Sequence, residues 1–133
     1  MPMKIVETER YILKIYENNF LEYYIKEGVV IDMGLALEVK KICKQYRPNT
    51  KFYVFTEGAG FFNVTKEVRE AGASKEFSKN MVAVAFYTTN PTLLLLGELY
   101  NKINKPAVET KIFTNRDKAL TWLKSIMEKE KVN

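Results

Sequence analysis

The sequence contains no histidine. That removes the usual general base near neutral pH and the commonest metal ligand. Ser-His-Asp and Cys-His arrangements for nucleophilic catalysis go with it. Cysteine is nearly absent: the single Cys43 cannot form an internal disulfide, which suits a reducing compartment. One cysteine without histidine also excludes a structural zinc site, and no metal or cofactor is expected. Long apolar runs are missing. Met81–Tyr87 is among the longest and suits a buried strand; a bilayer span needs about 20 apolar residues, so none is expected. Met1-Pro2-Met3-Lys4 leads into no signal-type apolar segment, and the expected location is the cytoplasm. No repeat, low-complexity tract or Pro/Ser-rich linker divides the chain, so one domain is expected over residues 1–133.

What is present is ordinary globular material. Hydrophobic residues make up 47% and charged residues 28%, which argues against disorder. With 8 Phe, 8 Tyr and one Trp, the chain can bury a sizeable core. The net charge of +5 raises the question of a nucleic-acid partner. Acidic residues interrupt the basic ones throughout, however, and no basic run exceeds Lys40-Lys41. The stretch Lys124–Lys131 alternates in sign, as a solvated helix face does. No nucleic-acid binding is expected.

Along the chain, Tyr11–Tyr16 and Phe20–Ile25 are β-rich runs across the polar turn Glu17-Asn18-Asn19, which predicts an antiparallel hairpin. Glu27-Gly28 breaks the chain, and Val29-Val30-Ile31 is a short strand or an extended lead-in. Asp32 is placed to cap a helix reaching about Tyr46, with Leu35, Val39, Ile42 and Tyr46 at helical spacing and Lys40, Lys41 and Lys44 on the wetter side. Pro48 ends it. Lys51–Thr56 is a strand and Glu57-Gly58-Ala59-Gly60 a turn. Asn63 or Thr65 caps a helix over about Lys66–Gly72, and a second turn or helix covers about Ser74–Lys79. Met81–Tyr87 is the next strand, apolar on both faces and so covered on both. Asn90-Pro91 opens a helix to about Ile103. Val108–Phe113 is the last strand. Thr114 or Asn115 opens the final helix, whose apolar face includes Ala119, Leu123 and Ile126. Strands separated by helices pair in parallel through right-handed crossovers. The expected fold is α/β: a mixed sheet with an N-terminal antiparallel hairpin, parallel central strands and helices packed on it.

Three blocks carry a family resemblance: Phe61–Arg69, Leu96–Pro106, and Lys111–Asn115 with Lys118–Leu123. They resemble a bacterial family of small proteins of unknown function in the STAS superfamily, named for sulfate transporters and anti-sigma-factor antagonists. Some relatives are compared with lipid-transfer folds of the CRAL-TRIO type. The likeness covers about residues 50–127, and its most specific part is the Phe-Thr…Ala-Leu-x-Trp-Leu ending. It implies a STAS-like sheet with helices on it and no catalytic activity. In the antagonists a phosphorylatable Ser or Thr opens the helix after a central strand, within an Asp-Ser/Thr-x-Gly pattern. A loose overlay puts Thr65 near that place, where this chain reads Asn63-Val64-Thr65-Lys66.

Each candidate site has a plainer alternative. Asn63 and Thr65 stand for a phosphoacceptor or anion site, or for an ordinary helix cap. Arg69 belongs to the same loop and helix. Glu57-Gly58-Ala59-Gly60 has Gly-x-Gly without the rest of a nucleotide fingerprint, and reads as a connection. Leu93-Leu94-Leu95-Leu96 wraps around its helix, so one or two leucines must meet a neighbouring helix, a partner or an apolar ligand. The aromatic set of Tyr11, Tyr16, Phe20, Tyr23, Tyr24, Tyr53, Phe61 and Phe62 reads as a pocket lining or as core. Glu7 with Glu9, and Glu67 with Glu70, are close carboxylates without other acid/base equipment.

These readings converge on a non-enzymatic STAS-like interaction module, with regulatory or partner-binding residues Asn63, Thr65, Arg69 and Leu94. A protein partner or a second copy of the chain, as a homodimer, is the expected contact. A carrier or sensor of a small apolar ligand is the alternative.

Overall fold

The computed structural model describes residues 1–132, with side chains through residue 130. In chain order the elements are β1 (Lys4–Glu7), β2 (Tyr11–Ile15), β3 (Phe20–Ile25), β4 (Val30–Ile31), α1 (Met33–Tyr46), β5 (Phe52–Gly58), β6 (Asn63–Val64), α2 (Lys66–Ala71), β7 (Met81–Tyr87), α3 (Pro91–Ile103), β8 (Glu109–Phe113) and α4 (Arg116–Val132). Six strands form one sheet in the order β1-β2-β3-β5-β7-β8; β4 and β6 form a separate parallel ribbon.

The antiparallel part is a three-stranded meander, β1-β2-β3. The predicted hairpin is there, and β1 extends it. The turn between β2 and β3 needs a left-handed residue, which Asn19 supplies at φ 73°. Arg47, at the C-terminus of α1, holds this turn by donating to the Tyr16 carbonyl at 2.7 Å and to Asn19 Oδ1 at 2.6 Å. From β3 onward, β5, β7 and β8 pair in parallel, each return made by a helical crossover.

The expected α/β fold is therefore the one observed, with differences at its edges. Glu57 and Gly58 belong to β5, because both continue its pairing with β3 and Glu57 also pairs with Tyr87 of β7. Of the turn or helix expected over about Ser74–Lys79, the turn is what forms, pinned by the buried Ser78. Thr65 caps α2, accepting from the Val68 N–H at 3.3 Å, while Asn63 lies in β6 and accepts from the Val64 N–H at 2.9 Å. Asp32 and Asn90 cap α1 and α3 as expected, and Asn115 accepts from the Lys118 N–H at 3.0 Å to open α4.

The sheet carries two cores of different texture. On one face α4 sits close on β5, β7 and β8. Small residues permit this: Ala83, Ala85 and Ala119 are fully buried, with Leu123, Phe55 and Tyr53 around them. On the other face α1, α2 and α3 cover Leu13, Ile15, Leu21, Ile25, Phe52 and Val54. Alternate residues of each strand serve the two faces, as the pleat dictates. That explains why β7 reads as apolar throughout.

Candidate functional site

The three-helix face does not close. Between α1, α2, α3 and the sheet lies a cavity of about 750 Å³. Pockets for drug-sized ligands span about 300–1,000 Å³. The floor comes from every second residue of the central strands: Leu21, Tyr23 and Ile25, then Val54 and Thr56, then Val84 and Phe86. Ala36, Val39 and Cys43 of α1 make one wall, and Leu93, Leu96, Leu99 and Ile103 of α3 another. Val68 and Phe62 close the α2 side, with Phe62 edge-on to Phe86 at 5.8 Å between centroids.

Helix placement makes the space. α3 meets the sheet chiefly along β8. Gly97 permits the approach: a Cβ there would stand 3.1 Å from Ile112 Cδ1. α1 contacts chiefly β4 and α2. No third helix fills the middle. An enclosed apolar void of this size would cost about 18 kcal/mol at about 24 cal/mol per Å³. That exceeds the about 5–15 kcal/mol by which a domain is stable. The cavity is instead open to solvent. Lining residues that are also exposed lie on β6 (Asn63), α2 (Lys66, Glu70) and α3 (Leu96, Leu99, Ile103), so the mouth lies between β6 with α2 on one side and α3 on the other.

Charge in the lining is uneven. Lys40, Lys66 and Arg69 are its cations, and Glu70 is the one carboxylate among the described lining residues. Glu70 is bound to Lys66 at 3.7 Å. Lys40 donates to the Phe77 carbonyl and, at 3.1 Å, to Asn80 Oδ1; its ammonium lies 4.2 Å from the Phe77 ring centroid. Burial and the nearby Lys79 charge lower the Lys40 pKa from its ordinary value. Arg69 donates to the Val64 carbonyl. Neither Lys40 nor Arg69 has a carboxylate within 4.0 Å among the described residues. Burial pushes the Cys43 thiol up to about 11 and raises the Tyr100 phenol.

Of the four residues singled out from the sequence, the cavity gathers Asn63 and Arg69. Thr65 stands beside it as the α2 cap. Leu94 is half-buried outside the lining, while its neighbours divide: Leu93 is buried at the base, and Leu95 and Leu96 are 57% and 43% exposed. The aromatic set splits between packing and lining. Tyr11 meets Tyr23 edge-on at 5.8 Å and donates to Glu38 at 2.6 Å, whereas Tyr23 and Phe62 face the space. The glycine turn is a connection: the Glu27 carboxylate lies where a Cβ on Gly60 would point, 2.8 Å away, and a phosphate there would meet a like charge.

Carboxylates gather on the opposite side of the sheet, in a shallow depression of about 240 Å³ lined by Glu22 and Glu57. Arg116 binds Glu57 at 3.4 Å. Glu22 accepts from Tyr16 Oη at 3.2 Å and lies opposite Lys14 across the ladder.

Lys40 is the residue that sequence reading misplaced. Its charge predicts the wet side of α1, yet it lies four residues after Ala36 and three before Cys43, which places all three on one helical stripe. That spacing was the available signal.

The model of a family described as a domain of unknown function, DUF7793, matches residues 14–127. Among solved structures, the chain is similar to an uncharacterized DUF3478-family protein with a SpoIIAA-like fold from Shewanella loihica PV-4. Identity is 10%, 90% of each chain is covered, and the TM-score is 0.56. No curated protein matches the chain in sequence. The likeness shows a SpoIIAA-like, STAS-like fold.

Proposed function

We propose that this chain, which belongs to the DUF7793 family, is a non-catalytic module that binds a small apolar molecule between its three-helix layer and its sheet. The observation that carries this is the open, largely hydrocarbon-lined cavity of about 750 Å³. Apolar surface around such a space gains free energy when a ligand displaces its water, at about 25 cal/mol per Å². Native mass spectrometry of the freshly purified protein should show a bound small molecule, or a saturable complex after addition of a fluorescent fatty-acid analogue. Absence of both would defeat the reading.

A second reading, contact with another protein or a second copy, is favoured by the outer surface of α3. Leu95, outside the cavity lining, is 57% exposed, and Leu99 and Ile103, which also border the mouth, are 40% and 70% exposed. Apolar side chains grouped on one face are the usual mark of a contact surface.

A further inference from the structure

An apolar cavity with two unneutralised cations in its walls is not indifferent to its ligand's charge. We propose, resting on the binding reading above, that the occupant is a single-chain amphiphile with a carboxylate head: its chain lies on the hydrocarbon floor, and Lys40 and Arg69 supply the counter-charge.

Hydrogen-bonding capacity supports the assignment. An ammonium has three N–H groups, of which Lys40 commits two, to Phe77 and Asn80. A guanidinium has five, of which Arg69 commits one, to Val64. Both groups retain donors. The carboxylate in the same lining, Glu70, is engaged by Lys66. A cationic head would meet a wall that already carries excess positive charge. A neutral head would leave that charge uncompensated, and isolated charges beside apolar surface are costly. A ligand carboxylate makes charge-assisted hydrogen bonds with the free donors. Long chains have somewhere to go: Leu96, Leu99 and Ile103 continue the apolar surface to the mouth.

The test compares dodecanoate, dodecanol and dodecylammonium, which share a chain and differ in head charge. Each is titrated calorimetrically into the wild-type protein below its micelle concentration, and again at high salt, where attraction to the net-positive surface is screened. Dodecanoate should bind about tenfold more tightly than dodecanol, or better, and dodecylammonium most weakly. The double variant Lys40→Met/Arg69→Met should bind dodecanoate no more tightly than it binds dodecanol, and a wild-type circular-dichroism spectrum with cooperative urea unfolding reports that the variant is folded; the single variants Lys40→Met and Arg69→Met should each narrow the preference in part. Equal binding of all three ligands to the wild type, or a preference surviving in the double variant, would overturn the headgroup assignment and leave the apolar site standing. Failure of all three to bind would remove the site itself.

Discussion

Cys43 and Lys40 occupy one stripe of α1 and respond to burial in opposite directions. The thiol, 2% exposed, keeps its proton up to about 11 because the thiolate would lose hydration. In the unfolded chain it ionises near its ordinary value of 9.0. Between those values the native state holds more protons than the unfolded state, so stability falls as pH rises through this window. Two outcomes follow. Iodoacetamide should label Cys43 slowly at neutral pH. Chemical unfolding should show a stability decline between about pH 9 and 11 that Cys43→Val reduces. A labelling rate at pH 7 equal to that of free cysteine would contradict the burial. Lys40 carries the reverse cost: its charged form is disfavoured by burial, and a cation so placed is easier to explain by a ligand than by stability.

Among the elements, α3 rests on the sheet chiefly along a single strand, β8. It is punctuated by Asn90, whose side chain accepts from Thr92 and Leu93 N–H at 3.0 and 3.1 Å, and by Pro91 in the first turn. With contact to the sheet chiefly along β8, it depends on that cap more than a packed helix would. Asn90→Ala should cost about 1 kcal/mol in urea unfolding, and should weaken binding of the fluorescent fatty-acid analogue because the same helix forms a cavity wall. This helix and α1 were readable from the chain because caps, prolines and 3.6-residue spacing leave local marks. β4 and β6 were not both readable: two residues show no period, and their pairing joins segments far apart in sequence. β1 is a short edge strand, half of whose residues are charged, and it took its form from β2.

For the molecule as a whole, the layered α/β architecture was legible because strand and helix periods alternate along the chain. The cavity was not. It is a gap between elements, set by how far α1 and α3 stand apart, and no residue pattern encodes a separation. Asn63 and Arg69 were found as neighbours of a helix start and turned out to face that gap; Lys40 was missed because a lysine on a helix is ordinarily solvated. The exposed leucines bear on assembly. If they seat a second copy, sedimentation equilibrium should show a dimer that Leu95→Glu converts to monomer without change in helical content. A wild-type monomer at all concentrations would end the self-association reading. No described helix is long and apolar enough to cross a membrane.

The contrast between the sheet's two sides has a bearing on evolvability. Where α4 rests on Ala83 and Ala85, an added methyl group has nowhere to go, and variation there is penalised at once. Across the sheet, Val39, Leu96 and Leu99 border open volume, and exchanges among aliphatic side chains can reshape the interior without loosening the scaffold. One side thus acts as a keel and the other as a hold whose fittings can be altered to suit a different cargo.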